Sequence, residues 1–593
     1  MSARTKHIAE LALLLLFAIL LPLKLNNYYI HVFILVLFYA FCGLGWNFLG
    51  GYCGQFYFAH VVFIGIGAYT STLLFNHFDL SPWVGMLAGG CITVLLALAI
   101  GSITFRAGLK DNYFALGSLA LLEITKSLAL NARWAGGAQG LFITINRPGI
   151  LSMAFIKKLP YYYIILGFLI FGVIVTKLVA NSKFGSYFIA VRENEEAAEA
   201  VGVPVIRYKL IAISLSALLG AFGGTFFGQY LTFFDPTTIF TFEMAVQVVT
   251  VVVVGGAGTI AGPILGALII VPLSEFVRGK LGQNIAGVHL VVYGLILMLT
   301  ILYVPNGIMG VLTSLKERLL EKHPGFAHAI GLEKKNETLP EADVDIDIRS
   351  REVPGGEMLR VEHLGKSFGG LRAVDDVSFS VKQGEILGIM GPNGAGKTTV
   401  FALVTGFLSP SEGTVSYKGK DITNMKPHDI CRLGMTRTFQ VVQPFPGLNT
   451  LDTAVIASYE GTRNKEEARK KAVAVLEKVG LSDKAFQPTK TLSLPDLKRL
   501  EVAKALCTGA DLILLDEVMA GLTDVEVREM VEVVHKLRDE GYTFVIIEHV
   551  MSAMMNLADR LIVLDFGKMI AEGLPEDVVK DPHVVSAYLG GDE

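Results

Sequence analysis

The first 310 residues are a near-continuous series of apolar stretches, and no other feature restricts the fold as strongly. A helix needs ~20 mostly apolar residues to cross a bilayer. Stretches of about that length fall near 8–24, 28–48, 60–77, 83–105, 112–131, 161–180, 208–230, 240–257, 259–277 and 286–304. In hydrocarbon every backbone group must be satisfied internally, so this series predicts an all-α polytopic membrane domain of about ten transmembrane helices. The cut between the eighth and ninth spans stays open, because Gly255-Gly-Ala-Gly258 interrupts one apolar run. Composition agrees: 52% of residues are hydrophobic and the mean hydropathy is +0.52, too apolar for a soluble protein. A formal charge of −3 gives no sign of a nucleic-acid partner. The cysteines (Cys42, Cys53, Cys91, Cys431, Cys507) are scattered, with neither a disulfide framework nor metal spacing. Met1-Ser-Ala-Arg-Thr-Lys6 and the run after it could pass for a signal peptide, but no small-residue cleavage site follows, so a retained first helix is expected.

From Ser314 to Glu357 apolar content falls while Pro, Gly and acids rise, as in Glu341-Ala-Asp-Val-Asp-Ile-Asp-Ile348. That composition predicts a flexible polar linker. The chain therefore divides into a transmembrane domain (1–313), a linker (314–357) and a soluble domain of alternating strands and helices, α/β in class (358–593).

In the soluble part, Gly391-Pro-Asn-Gly-Ala-Gly-Lys397-Thr398-Thr399 fits G-x-x-x-x-G-K-[ST], between a strand-like Ile386–Met390 and a helix-like Val400–Val404. Gly391, Asn393, Gly394 and Gly396 form a loop whose N–H groups can turn inward around phosphate oxygens, ahead of the helix opened by Thr399. Lys397 supplies a charge for the β- and γ-phosphates, and the Thr398 hydroxyl can ligate Mg²⁺. The motif predicts ATP and Mg²⁺ as cofactors. Leu512-Ile-Leu-Leu515 is a buried strand ending in Asp516 and Glu517. Asp516 sits where a carboxylate can hold Mg²⁺ through water, and Glu517 where it can polarise the attacking water as general base. Phe544–Ile547 is a second such strand, and His549 beyond it can reach the γ-phosphate. Gln440 can reach metal and attacking water from a loop. Phe368 stands the right distance ahead to stack on adenine, and is equally a core phenylalanine on sequence alone.

The order of these parts resembles the ABC-transporter ATPases across residues 358–593. The resemblance makes Phe368 the A-loop aromatic, Gly391–Thr399 the Walker A loop, Gln440 the Q-loop residue and Asp516 with Glu517 the Walker B pair. Gly521-Leu-Thr523 then stands as the D-loop and His549 as the H-loop histidine. Leu492-Ser-Leu-Pro-Asp496 takes the place of a signature that is normally Leu-Ser-Gly-Gly-Gln. In the family, that serine and glycine bind the γ-phosphate held by the opposite subunit. Ser493 remains, but Pro495 has no N–H to donate, and Asp496 is expected to bring negative charge toward phosphate. Two unequal composite ATP sites are therefore expected. The tail from Ile570-Ala-Glu-Gly573 to Ala587-Tyr-Leu-Gly590 looks like the branched-chain amino acid branch of the family.

ATP is cytosolic, so the last span must exit inward. Ten spans then place the N-terminus inside, in agreement with Arg4 and Lys6. Arg106, Lys110, Lys183, Arg192, Arg207 and Lys209 fall inside, but Arg133, Arg147, Lys157, Lys158, Arg278 and Lys280 outside leave the charge bias weak. One inside loop, Phe184–Gly202, is polar and helix-prone, a short surface helix or a solvated connector. The first half resembles the permease subunits of branched-chain amino acid importers, of the LivM type, over about 25–312. The matching stretches include Asn47-Phe-Leu-Gly-Gly-Tyr-Cys-Gly-Gln55, Ala135–Gly140, Ala190–Gly202, Gly255–Pro263 and Pro305-Asn-Gly-Ile308. By that resemblance Glu193–Gly202 is the coupling helix that docks on an ATPase.

Glycines between spans permit close helix packing or mark interrupted helices along a path. Asn47, Gln55, His60, Glu123, Glu243 and Gln247 are costly at membrane depth unless they face the interior, which makes them candidates for that path. The combined resemblance implies a LivM-type permease fused to a LivG/LivF-type ATP-binding subunit, half of an ATP-driven importer in the cell (inner) membrane with its ATP-binding domain cytoplasmic. Its implied partners are a second permease, a second ATPase and an extracytoplasmic substrate-binding protein. Its implied cargo is a branched-chain or other hydrophobic amino acid, or a related small polar solute. A homodimeric half-size exporter is the alternative, and a non-transporting anchored ATPase a third.

Overall fold

The computed structural model describes residues 3–109, 111–143, 148–281, 288–322, 339, 356–462, 464–549 and 551–589. Lys110, Arg147, Gly590, the side chains of Arg4 and Lys6, and most of the expected linker lie outside the described residues. The chain forms two compact units: Met1–Arg192 with Ile206–Asn336, and Glu193–Val205 with Glu337–Glu593.

The first unit is helical: α1 (Ala3–Leu20), α2 (Asn27–Asn47), α3 (His60–Phe78), α4 (Pro82–Arg106), α5 (Asp111–Asn131), α6 (Leu159–Ala180), α7 (Lys183–Glu193), then, beyond a segment of the second unit that carries α8 (Glu195–Ala200), α9 (Val205–Leu231), α10 (Pro236–Ile239), α11 (Phe242–Gly255), α12 (Gly262–Leu281), α13 (Val288–Tyr303) and α14 (Gly307–Lys322). Two short strands, β1 (Leu141–Phe142) and β2 (Phe233–Phe234), pair antiparallel. Among the described residues nine helical segments are long and apolar enough to cross a membrane. Of the first expected span the described side chains show the apolar stretch Ala12–Lys24, which continues from α1 through a 3₁₀ turn at Leu21–Lys24. The even-count argument for an inside N-terminus thus rests on that short segment. The open cut between the eighth and ninth spans resolves into a turn between α11 and α12. A Cβ on Gly255 would lie 1.8 Å from the Gly262 carbonyl oxygen, so close backbone approach requires glycine here. The boundary expected at 313/314 falls inside α14, whose helix runs to Lys322, and residue 357 already opens a strand.

The second unit holds two sheets. β3 (Glu357–Phe368), β4 (Leu371–Lys382), β6 (Glu412–Tyr417) and β7 (Lys420–Asp421) form an antiparallel sheet in the order β4-β3-β6-β7. The other sheet runs β12-β11-β5-β10-β9-β8, from β5 (Ile386–Met390), β8 (Met435–Arg437), β9 (Leu512–Asp516), β10 (Thr543–Ile547), β11 (Arg560–Asp565) and β12 (Lys568–Gly573). All its pairings are parallel except β11 with β12. β5, β9 and β10 are buried along their whole length, as expected of parallel strands covered on both faces. Ligand chemistry gathers at the carboxyl ends of such strands. The helices of this unit after α8 are α15 (Lys397–Val404), α16 (Pro427–Leu433), α17 (Thr450–Ser458), α18 (Lys465–Lys478), α19 (Leu494–Thr508), α20 (Asp524–Asp539), α21 (Met551–Leu557), α22 (Pro575–Val578) and α23 (Pro582–Leu589).

Candidate ATP-hydrolysis site and its coupling segment

A cavity of about 280 Å³ opens at the carboxyl ends of β5, β9 and β10. Asn393, Gly394, Gly396, Lys397, Thr398, Thr399, Gln440, Glu517 and His549 line it, with Ala373 and Ala395. Lys397 Nζ donates to the loop carbonyls of Gly391 (2.7 Å) and Pro392 (3.0 Å). Burial holds its ammonium below the ordinary lysine range, against the pull of Glu517 and Asp516. Glu517 is gripped at both oxygens: Gln440 Nε2 donates to Oε2 at 2.9 Å, and His549 Nε2 lies 2.9 Å from Oε1. Its backbone sits at φ +50°, an unfavourable conformation for a residue with a Cβ, and its N–H is tied to the Ile547 carbonyl at 2.9 Å.

Asp516 is fully buried at the end of β9. Its Oδ2 receives Arg437 Nη2 at 3.3 Å, while Oδ1 is buried without a protein partner. Burial pushes the carboxyl up to about 6, with Arg437 opposing and Glu517 adding to the rise. A buried carboxylate oxygen left unsatisfied by protein fits a group reserved for a cation. Thr398 and Gln440 line the neighbouring cavity, so the residues present fit Mg²⁺.

Phe368 and Ser493 do not line this cavity. Phe368 is exposed beside Lys366 at the end of β3, which excludes the core reading. Ser493 caps α19, and Pro495 sits in that helix's first turn, where the lost N–H is tolerated. Ser493 Oγ donates to Asp496 Oδ2 at 2.5 Å, and Lys484 Nζ lies 2.7 Å from Oδ1. Burial alone would raise the Asp496 carboxyl, but Lys484 and Ser493 together hold it below the usual carboxylate range. The expectation that Asp496 presents bare negative charge is therefore corrected: the side chain is buried and ion-paired, because Lys484 lies within reach.

Sequence reasoning missed three groups around this site. Lys498, on the buried side of α19, donates to the carbonyls of Gln440 (3.0 Å) and Glu517 (2.8 Å), tying the signature helix to both catalytic candidates. Glu548, fully buried, accepts from Met519 N at 2.6 Å, and burial pushes its carboxyl up to about 7. Tyr588 of α23 accepts from Gly391 N at 2.8 Å, joining the tail to the phosphate loop. The buried helix face carrying Lys498 and the acid preceding His549 were the available signals for the first two. Nothing local in the sequence signals the third.

The second unit also contains Glu193–Val205. Asn194 caps α8 by accepting from Ala197 N at 2.8 Å, and Gly202 closes the segment at φ +89°. Glu193 Oε2 accepts from Gly447 N at 2.7 Å, and Thr436 Oγ1 donates to the Ala200 carbonyl at 2.8 Å. The loop is thus a seated helix, not a solvated connector. Its seat adjoins the site, since Arg437, next to Thr436 in β8, is the partner of Asp516.

In the helical unit, the candidates for a solute path do not converge. Asn47 spans a turn, donating to the Thr259 carbonyl at 2.9 Å and accepting from Gly258 N at 2.8 Å. His60 is buried against Tyr57 and Ser216, Gln55 and Gln247 are buried, and Glu243 pairs with Arg278. Glu123 alone of the six is exposed, with Lys126 Nζ 3.8 Å away.

Residues 28–301 match the family described as "Branched-chain amino acid transport system / permease component", residues 374–520 the ABC transporter family, and residues 568–593 the "Branched-chain amino acid ATP-binding cassette transporter" family. The "Probable branched-chain amino acid transport ATP-binding protein LivG" of Archaeoglobus fulgidus is 37% identical over 249 residues, 40% of this chain and 97% of that protein. The "High-affinity branched-chain amino acid transport ATP-binding protein LivG" of Salmonella typhimurium is 35% identical over 249 residues, 39% of this chain and 98% of that protein. A solved nucleotide-free ATP-binding cassette from an ABC transporter is 34% identical, covered along 100% of its length by 40% of this chain, with a TM-score of 0.37. The chain belongs to the branched-chain amino acid family of ABC transporters, as a LivM-type permease fused to a LivG-type ATP-binding cassette.

Proposed function

We propose that this chain is one half of an importer in the cell (inner) membrane, carrying a branched-chain or other hydrophobic amino acid into the cytoplasm at the expense of ATP. The observation that carries the ATPase assignment is the double grip on Glu517 by Gln440 and His549, facing the phosphate loop across one cavity. Glu517 takes the role of general base toward the attacking water, which Gln440 and His549 keep in place by fixing the carboxylate. Lys397 and the loop amides of Asn393, Gly394, Gly396, Thr398 and Thr399 receive the phosphates. Thr398, Gln440 and the free oxygen of Asp516 would hold Mg²⁺, which when bound neutralises charge between the β- and γ-phosphates. Phe368, exposed at the end of β3, stacks on adenine. The seat of Glu193–Gly202 on the cassette supports its role as coupling helix, passing cassette closure to the spans as rigid-body motion.

One Walker A loop and one permease domain make half a machine. A second permease and a second ATPase complete the assembly, and an extracytoplasmic binding protein delivers the solute. The names of the relatives support a branched-chain amino acid as cargo, and the LivG likeness disfavours the exporter alternative. The test is uptake of radiolabelled leucine by proteoliposomes holding the complete assembly, ATP and the binding protein. Glu517→Gln is expected to abolish uptake. ATP hydrolysis indifferent to the loaded binding protein, with no inward leucine accumulation, overturns the reading.

A further inference from the structure

Four stretches that carry the permease resemblance take no part in the ATP chemistry, yet the fold brings parts of all four to one place: Asn47–Gln55, Gly255–Pro263, Pro305–Ile308 and the Arg192 end of Ala190–Gly202. Each contains a break in helical structure. α2 runs into a π-helical turn, Phe48–Tyr52, after which Cys53 N donates to the Phe48 carbonyl at 3.2 Å. α11 and α12 are separated by a glycine turn, α13 and α14 by Val304-Pro305-Asn306, and α7 and α8 by Asn194. Non-helical backbone in a membrane domain is tolerated only where protein surrounds and satisfies it. Here the breaks satisfy one another. Asn47 bonds Gly258 N and the Thr259 carbonyl, and a Cβ on Gly51 would lie 2.5 Å from Gly258 N. A Cβ on Gly307 would lie 2.5 Å from Gly256 N.

The cationic group in this knot is Arg192, in the last turn of α7. Its Nη1 donates to the Gly51 carbonyl at 3.3 Å, and a Cβ on Gly54 would meet its Cγ at 2.6 Å. Arg192 is also the last residue of the helical unit before the chain passes to Glu193, which accepts from Gly447 N in the cassette unit. Consecutive Cα atoms stand ~3.8 Å apart, so no slack lies between the two attachments. π-Turns recur at functional sites, and short non-helical segments absorb the backbone rotations of a hinge.

We infer that Arg192 is the positioning residue through which the coupling segment moves the spans: its guanidinium holds the Gly51 carbonyl, so a shift of Glu193–Gly202 is delivered to the end of α2 and, through Asn47, to the α11–α12 turn. The inference rests on the reading of Glu193–Gly202 as the coupling helix. A guanidinium is a rigid fork of donors, whereas lysine offers one swivelling ammonium and methionine no donor at all.

Two measurements on the full chain in its complete assembly test this. In proteoliposomes with loaded binding protein, Arg192→Met is expected to keep basal ATP hydrolysis within about twofold while leucine imported per ATP falls about tenfold, and Arg192→Lys to restore part of that ratio. The second readout needs no cargo. Cys53, a buried native thiol inside the knot, is labelled with N-ethylmaleimide and quantified by mass spectrometry at that residue. Its labelling is expected to differ about fivefold or more between nucleotide-free and ATP–vanadate-trapped wild type, and to lose that difference in Arg192→Met. Uptake and hydrolysis falling together at an unchanged ratio mean a merely structural role and overturn the inference. Labelling that follows the nucleotide equally in wild type and Arg192→Met overturns it too, and leaves the coupling-helix reading standing. Labelling that ignores the nucleotide in the wild type overturns both. A wild type that imports no leucine, but whose nucleotide-dependent labelling is lost in Arg192→Met, supports the role of Arg192 and overturns the assignment of cargo. If Arg192→Met does not assemble, the same measurements on Arg192→Lys decide, and wild-type values in both overturn the inference.

Discussion

The cassette carries two half-sites built in opposite ways. Around Glu517 the side chains are held in a strained, crowded arrangement: a positive φ, a carboxylate gripped at both oxygens, and a buried Asp516 oxygen with no protein partner. Around Ser493 every group is locally content, with the serine capping its own helix and Asp496 tied to Lys484. The first arrangement is incomplete without something from outside the chain, and the second is not. That difference supports unequal composite sites, a strong one using this chain's Walker loop and a weaker one borrowing Ser493. The reason lies in what the replaced glycines offered: Pro495 has no N–H, and the serine hydroxyl is already donated to Asp496.

The largest expected effect tests that inequality directly. Glu517→Gln should lower ATP turnover by about 10²-fold or more, the usual contribution of a positioned general base, with nucleotide binding retained. The equivalent change in the second cassette should cost far less, and equal losses in steady-state hydrolysis would break the comparison. Next in size, Lys498→Met removes the tether from α19 to the carbonyls of Gln440 and Glu517. Turnover should fall about tenfold while the affinity for ATP, read by fluorescent-nucleotide titration, stays within about twofold, because the lysine positions the base without lining the cavity. An affinity loss as large as the turnover loss would show a merely structural role.

A smaller effect follows from Glu548. Burial raises its carboxyl to about 7 from an ordinary value of 4.5. Because the folded value lies above the unfolded one, stability is lost as pH rises from the lower value to the higher, and nothing is lost below both. Glu548→Gln keeps an acceptor for Met519 N and removes that penalty. Thermal unfolding of the cassette should shift upward at about pH 8 and stay unchanged at about pH 4; no shift at the higher pH would remove the burial argument. The smallest effect concerns the signature turn. Asp496 is held below its unfolded value, so its contribution is present at neutral pH and disappears as pH falls through the folded value. Lys484→Met should cost about 0.5–1 kcal/mol at pH 7, since Lys484 is partly exposed and screened, and nothing once Asp496 is protonated. A loss that persists in acid would point to packing instead.

Much of the cassette was legible because its signals are local. A phosphate loop between a strand and a helix, and a buried strand ending in two acids, are written in consecutive residues. The coupling segment was half legible: its acidic start and Gly202 predict a short helix, but its seat depends on Thr436, 236 positions away in sequence. Phe368 and the six polar membrane candidates were legible only as possibilities, because exposure is decided by neighbours from other helices.

By itself the sequence determined the run of apolar helices, the α/β class of the second half and the motifs whose residues are the candidates for phosphate chemistry, because bilayer thickness and backbone stereochemistry act over a few consecutive residues. The tertiary structure alone decided that Asp496 is ion-paired, that Lys498 and Tyr588 brace the site, and that Glu123 stands exposed beside Lys126 where Asn47 and His60 are buried. Those outcomes depend on which distant groups are brought within about 3 Å of each other, and hydrogen bonds and ion pairs act only at that range.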